Sequence, residues 1–192
     1  MKIAILGWGS LIWSPQTLNY NTTFGWQTNG PILPIEFARI SKDGRLTLVL
    51  TPNGTNTQTL YAISSYNTIE EAILNLAIRE GSGRMSIGFY EKSNNQFSPI
   101  NFKYKKNIED WLEVNNDIDA VIWTNLPEKW VKETSVKIKK YIEPNERIEY
   151  LKDLKGNKRA IAEEYIRKTP PQIKTKYRAL IEKELNWHPI VP

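Results

Sequence analysis

The sequence predicts an α/β protein, α+β in the order of its elements, with strands concentrated in the first half and helices in the second. Short apolar, β-branched segments separated by turn signals occupy residues 2–125, and apolar residues at helical spacing follow from residue 128 onward. Because no linker-like stretch divides the chain, we expect a single domain: a core over residues 1–125, with a helical C-terminal extension over residues 126–192 packed on it.

The composition limits the classes of protein to consider. The 192 residues carry a net charge of +5, but acids are interspersed among the basic residues, so we expect solvated surfaces and no nucleic-acid partner. There is no cysteine, which excludes disulfides, thiolate catalysis and cysteine-ligated metal sites. The apolar run after Met1-Lys2 is too short for a signal peptide or a membrane span, so we expect a cytoplasmic protein with no membrane partner.

Strands are predicted where apolar, β-branched residues stand between turn residues. Asp43-Gly44 is a hairpin turn signal between two such segments. Residues 14–34, rich in Pro, Gly, Asn and Thr, are predicted to form a long irregular connection. The expected strands cover residues 2–6, 35–40, 46–50, 60–63, 84–90, 97–104 and 120–123.

The best-specified helix covers residues 68–80. Thr68 and Glu71 have the spacing of a capping box at its start, and Gly81 stands where a glycine commonly ends a helix. Because successive helical residues are about 100° apart, Glu80 falls close to the apolar stripe. The stripe consists of Ile69, Ile73 and Leu76.

Further helices are predicted along the second half of the chain. One covers residues 108–114, and loosely spaced apolar residues predict helical structure over 131–142. Asn145 is predicted to begin a helix that Gly156 ends. Another helix ends before Pro170, and the last is predicted to begin at Thr169-Pro170-Pro171.

The opening strand runs into a loop that is a candidate binding site, Gly7-Trp8-Gly9-Ser10-Leu11-Ile12-Trp13. A dinucleotide fingerprint would need a third glycine where Ile12 stands, and the Gly-Lys-Ser or Gly-Lys-Thr of a phosphate-binding P-loop is absent. Backbone N–H groups of such a loop suit a carboxylate or an amide. The alternative is a tight turn that only places Trp8 and Trp13 in the core.

Glu80 is the candidate general base. Burial and the negative end of the helix dipole both disfavour its ionised form, which suits a group that holds and returns a proton near neutral pH. The alternative is an inert ion pair with Arg79 or Arg84. His188, the only histidine, is expected at the surface near the end of the chain, which disfavours a Ser-His-Asp mechanism. No metal-ligand spacing is visible, so we expect no metal.

Two of these stretches together resemble the γ-glutamylcyclotransferase superfamily. The loop at residues 7–13 is similar to the Gly-Tyr-Gly-Ser-Leu-Ile-Trp loop of its glutathione-acting branch, with Trp8 in place of Tyr. The segment Leu76-Ala77-Ile78-Arg79-Glu80 resembles the family's catalytic segment, and residues 39–50 resemble its early hairpin. The segment after Glu80 lacks the Gly-Tyr pair usual in the family.

The resemblance implies a mixed β-barrel with flanking helices and an enzyme that needs no cofactor. In the implied reaction, the α-amine of a small-molecule γ-glutamyl substrate attacks its own side-chain carbonyl and releases 5-oxoproline. The N–H groups of Gly9, Ser10 and Leu11, next to Trp8, would hold the γ-glutamyl group, and Glu80 would transfer the proton. Arg84, and also Thr175 and Arg178, are candidates for a second substrate carboxylate.

Two other functions stay open at this stage. One is a non-catalytic domain that binds a small metabolite or partner through the same loop. The other is a nucleic-acid-associated role for the basic second half, for which steep salt dependence of binding would be the sign. The sequence leaves the leaving group, the pathway and the oligomeric state open.

Overall fold

A computed structural model of the chain describes residues 1–130 and 143–190. They form two compact units that interleave in the sequence. The first comprises Met1–Leu33 and Gln58–Leu126, and the second comprises Pro34–Thr57 and the described residues from Pro127 onward. The α+β class is confirmed by two sheets and five helices in this part of the chain. Neither sheet closes into a barrel there, and the single-domain division at residue 125 stays a prediction.

The first unit is built on a five-stranded mixed sheet in the order β5-β1-β8-β6-β7. The central strand β1 is buried along its whole length, as expected for an apolar strand with neighbours on both sides. It runs parallel to β8 and antiparallel to β5, while β6 is antiparallel to both β8 and β7. The strands are β1 Ile3–Gly7, β5 Leu60–Ile63, β6 Ile87–Glu91, β7 Gln96–Ser98 and β8 Ala120–Thr124.

Helices α1 (Ile69–Arg79) and α2 (Lys105–Val114) complete the first unit. The predicted end of α1 is confirmed, because Gly81 has φ +57° and its N–H donates to the carbonyl of Ile78. The predicted capping box is wrong in detail: the Thr68 hydroxyl bonds to the Glu71 carboxylate at 2.5 Å instead of capping a backbone N–H. The apolar face of α1 packs in one core cluster with β1 and β8.

The second unit combines a three-stranded sheet, in the order β3-β2-β4, with three helices. The predicted hairpin is confirmed, since β2 and β3 pair antiparallel from Ile35↔Leu50 to Ile40↔Leu46. Strand β4 has the polar sequence Thr-Asn-Thr-Gln and was not predicted, because it lacks an apolar pattern. The elements are β2 Ile32–Ile40, β3 Leu46–Leu50, β4 Thr55–Gln58, α3 Pro144–Asp153, α4 Gly156–Lys168 and α5 Lys176–Leu185.

Several predicted boundaries in the first unit are wrong for local reasons. The strand predicted from Arg84 begins only at Ile87, because the Ser86 N–H donates to the Gly83 carbonyl at 2.9 Å and closes a 3₁₀ turn. The strand predicted over 97–104 ends at Ser98, since Pro99 has no N–H for a ladder.

Boundaries also differ in the second unit. Helix α3 is capped by Glu143 with Pro144 at its first position, not by Asn145. Gly156 does not end α3 but begins α4, where its φ of +52° lets the chain turn from one helix into the next. Thr175, not Thr169, caps α5. The helical structure predicted over 131–142 lies outside the described residues.

Glu36 on β2 is a buried carboxylate that joins three elements of the second unit; it is 1% exposed. One oxygen accepts from the backbone N–H of Phe37 at 3.0 Å and from the hydroxyl of Thr175 at 2.5 Å. The other accepts from the Thr55 hydroxyl at 3.1 Å and from the Tyr177 N–H at 3.5 Å. The carboxylate therefore connects β2 and β4 with the first turn of α5, where negative charge is favourable.

Arg147 on α3 supplies the opposing charge. Its guanidinium lies 3.7 Å from the centroid of the Tyr177 ring and donates to the carbonyl of Phe37. Burial raises the pKa of Glu36 above its ordinary value, and the bonds from Thr175, Phe37 and Thr55, with the charge of Arg147, only partly offset this.

We predict that Glu36 makes stability fall as the pH rises above 4.5, its ordinary pKa. Because the pKa is raised in the folded state, the stabilising contribution is complete below that value and is lost as pH rises through the folded pKa. In Glu36→Gln the site no longer titrates. The free energy of unfolding of wild type relative to this variant should therefore fall between pH 4.5 and the raised pKa of the folded state. Urea denaturation at a series of pH values measures this difference.

The control is Glu184→Gln, which removes an exposed acid in the same unit. Its profile should parallel that of wild type. A Glu36→Gln profile that also runs parallel to wild type would contradict the prediction.

Candidate functional site

The loop after β1 contains two overlapping hydrogen-bonded turns. The N–H of Ile12 donates to the carbonyl of Gly9 at 3.1 Å, and the N–H of Ser14 donates to the carbonyl of Ser10 at 2.9 Å. Trp8 and Leu11 are buried at 5% and 6% exposure, as the core-packing alternative expects for Trp8, whereas Trp13 is only half-buried. Ser10 is half-buried between them.

Arg79 connects this loop to the end of α1. Its guanidinium donates to the Ser10 hydroxyl at 3.1 Å and to the Ser14 carbonyl at 2.7 Å. The other terminal nitrogen contacts the Glu80 carboxylate at 2.8 Å. Glu80 is the C-cap residue of α1, and the side chains of Arg79 and Glu80 are only 8% and 16% exposed. The structure therefore brings the loop and the Glu80 segment together, and the predicted ion pair is formed with Arg79.

Some buried polar atoms of the first unit have no hydrogen-bond partner among the residues that the structure describes. Four of them bear on the candidate site: Trp26 Nε1, Arg79 Nε, Ser82 Oγ and Thr124 Oγ1. Such atoms are rare in native proteins because each one costs about 1–3 kcal/mol when left unpaired. Their presence at one place in a fold is a sign of a site that binds a polar ligand.

The register of β1 and β8 shows that two of the four atoms lie on one face of the sheet. Ile5 and Ile122 pair in the parallel ladder and belong to the core cluster that contains α1. Because side chains alternate along a strand, Gly7 and Thr124, two residues further on, face the same side. Trp26 fills the space over Gly7, since an added Cβ would lie 2.5 Å from its ring.

Ser82 reaches the same end of the sheet from α1. It follows the C-cap of that helix, and the next residues form the 3₁₀ turn Arg84–Ser86 that leads into β6. The N–H of Asn125, the residue after Thr124, donates to the last carbonyl of that turn at 2.7 Å. The carboxyl ends of β1 and β8 and the C-terminal end of α1 therefore meet at this place, where binding sites of α/β sheets commonly lie.

Other residues considered from the sequence have different surroundings. Arg84 is exposed on the 3₁₀ turn that follows Ser82, and His188 is exposed with Nε2 2.8 Å from Asn186 Oδ1, as expected. Thr175 and Arg178 are not free for a ligand. Thr175 caps α5, while Arg178 donates to the carbonyls of Thr169, Pro170 and Ile173, so both maintain the second unit.

Three residues of the candidate site were not predicted from the sequence: Thr124, Ser82 and Trp26. Thr124 ends an apolar strand and gave no motif, and its position depends on a strand pairing with a distant segment. Ser82 lies in the segment after Glu80, where the sequence differs from the family motif. The glycine at position 7 was a usable signal for Trp26, because a glycine at a strand end marks the close approach of another group.

A cavity of about 790 Å³ lies in the second unit. It lies beside the aromatic pair Trp130 and Tyr150, with lysines and acids both present in its lining, and none of its lining residues is a predicted site residue. Within residues 1–130 and 143–190, no cluster of three or more His, Asp or Glu side chains is arranged to hold a metal ion. In the same part of the chain no helix has both the length and the apolarity to cross a membrane.

Comparisons of the chain with family models, with curated proteins and with solved structures gave no match. The resemblance to γ-glutamylcyclotransferases therefore depends on the residues themselves, and the family and the reaction stay predictions.

We predict that Arg79→Met destabilises the protein by about 2–4 kcal/mol, because it removes the ion pair with the largely buried Glu80 carboxylate and two hydrogen bonds to the loop. Chemical denaturation measures this loss. Arg84→Met is the matched control: it removes an exposed arginine five residues away, and we expect a change within about 0.5 kcal/mol. Equal stability of the two variants would contradict the proposed role of Arg79.

Proposed function

We propose that the chain is a γ-glutamylcyclotransferase-type enzyme that releases 5-oxoproline from a γ-glutamyl amide, amine or peptide. The observation that supports this most strongly is the contact of Arg79 with both Ser10 and Glu80. The two stretches that resemble the family are thereby held next to each other, although 69 positions separate Ser10 from Arg79. The mixed sheet of the first unit supports the α+β class that the family implies, whereas neither sheet closes into the implied barrel within the described residues.

The proposed reaction is an intramolecular acyl transfer. The carboxylate of Glu80 takes a proton from the substrate ammonium, and the freed α-amine attacks the γ-carbonyl carbon. A C–N bond forms to close the five-membered ring, and the C–N bond to the leaving group breaks. Glu80 returns the proton to the leaving nitrogen. The second proton, which the ring nitrogen loses after the attack, passes through the same carboxylate to the released amine, which departs as an ammonium, so no external acid, metal or redox group is consumed.

The chain's own residues would supply orientation and stabilise charge. The backbone N–H groups of Gly9, Ser10 and Leu11 precede Ile12, the first donor of these turns, and would hold the γ-glutamyl group beside Trp8. Because nucleophile and carbonyl belong to one molecule, the main requirement on the protein is a near-attack geometry. Arg79 holds the Glu80 carboxylate beside the loop through a contact of 2.8 Å.

A second function is favoured by the same ion pair. An ion pair between a carboxylate and a guanidinium is equally typical of a residue that only stabilises the fold. With Glu80 in that role, the domain would bind a γ-glutamyl ligand without turnover. This alternative differs from the enzyme in one measurable respect: ligand binding without product.

We predict that wild type forms 5-oxoproline from at least one member of a panel of γ-glutamyl amines, amides and peptides. Glu80→Gln should lower kcat by at least about 100-fold, the usual contribution of a general acid–base group. The variant's amide oxygen still accepts from Arg79, so folding should be retained. Product is measured by liquid chromatography, and the unfolding midpoint confirms the folded state.

Glu70→Gln is the matched control, because Glu70 is an exposed acid at the other end of the same helix. Its kcat should equal that of wild type. Full activity in Glu80→Gln would rule out the proposed mechanism. Thermal stabilisation by γ-glutamyl compounds with no product from any of them would establish the binding domain instead.

A further inference from the structure

We infer that the hydroxyls of Ser82 and Thr124 bind the carboxylate of the γ-glutamyl substrate. This inference rests on the proposed function, because it names the side chains that hold one group of that substrate. It concerns two residues outside both stretches that resemble the family loop and its glutamate. It also commits the site to a ligand with an anionic acceptor.

The hydroxyl oxygens of Ser82 and Thr124 are buried, yet neither makes a hydrogen bond within the described residues. A hydroxyl can rotate to reach almost any neighbour, so a buried one normally finds a partner. Two unpartnered hydroxyls at the meeting point of α1 and β8 therefore indicate that their partner is a ligand.

Two N–H donors near these hydroxyls indicate what kind of group the ligand presents. Arg79 Nε and Trp26 Nε1 lie on the same side of the sheet, are also unpartnered, and can only donate. The Arg79 side chain is 8% exposed, so this donor is withdrawn from solvent. Two obligate donors with two hydroxyls suit an acceptor-only group. A carboxylate, with two oxygens and about four lone-pair directions, satisfies this set better than an amide, which brings donors of its own.

A carboxylate bound at this place also fits the proposed reaction. The carboxylate of a γ-glutamyl substrate is next to the α-amine, and it persists in the product 5-oxoproline. Holding it between Ser82 and Thr124 would leave the amine near Glu80, two residues before Ser82. The hydroxyls would thus position the nucleophile, while the loop after β1 holds the carbonyl.

The experiment measures binding of 5-oxo-L-proline and of its carboxamide, which lacks the anionic group, by isothermal titration calorimetry. Wild type should bind the acid more tightly than the amide. Thr124→Val, which keeps the shape and removes the hydroxyl, and Ser82→Ala should each weaken binding of the acid by about tenfold, the usual effect of one hydrogen bond to a charged group. Binding of the amide should be unchanged, and Thr124→Ser should bind the acid like wild type.

The outcomes separate this inference from the proposed function. Equal binding of the acid by wild type, Thr124→Val and Ser82→Ala overturns the inference. In that case, 5-oxoproline formation by wild type would still support the proposed enzyme. Hydroxyl-dependent binding of the acid without turnover of any substrate supports the inference and rejects catalysis.

If wild type turns over a substrate but binds its product too weakly to measure, the KM values of wild type and the variants are compared instead. A rise of about tenfold for Thr124→Val, with none for Thr124→Ser, supports the inference, and an unchanged KM overturns it. No binding and no turnover in wild type overturns both proposals. Unfolding midpoints show that each variant is folded.

Discussion

A single buried guanidinium determines the geometry of the candidate site. Arg79 has acceptors on two segments of the first unit, the loop after β1 and the residue that ends α1. Moving either segment would leave a buried cation short of acceptors, at a cost of several kcal/mol. The carboxylate of Glu80 is therefore held at one position relative to Ser10. Both the catalytic proposal and the inference about the carboxylate depend on that arrangement.

The second unit uses a buried carboxylate in a different way. Both oxygens of Glu36 accept hydrogen bonds from neighbouring backbone and hydroxyl groups, and Arg147 supplies the opposite charge. Such a saturated group stabilises the connection between a sheet and a helix. The surroundings of Glu80 differ, because donors on the same side of the first sheet have no partner. We therefore interpret Glu36 as a structural group and the unpartnered donors near Glu80 as partners of a ligand.

Much of the fold followed from local rules. The hairpin around Asp43-Gly44 and the end of α1 at Gly81 depend on residues close in the sequence, and both are confirmed. The failures have different origins. Strand β4 is polar and was missed, because its pairing with β2 stabilises it where its own pattern does not. The last helix begins at Thr175 since its hydroxyl accepts from the Arg178 N–H at 3.1 Å.

The sequence alone determined that a glycine-rich loop follows a buried strand and that Glu80 lies at the end of an amphipathic helix, because both depend on periodicity and turn chemistry within about a dozen residues. Only the tertiary structure decided that Arg79 and not Arg84 contacts Glu80, and that Thr124 lies on the same face of the sheet as α1. The position of Thr124 depends on the parallel pairing of β1 with β8, whose residues are more than a hundred positions apart. Such a pairing is set by the packing of the whole core, which no short stretch of sequence contains.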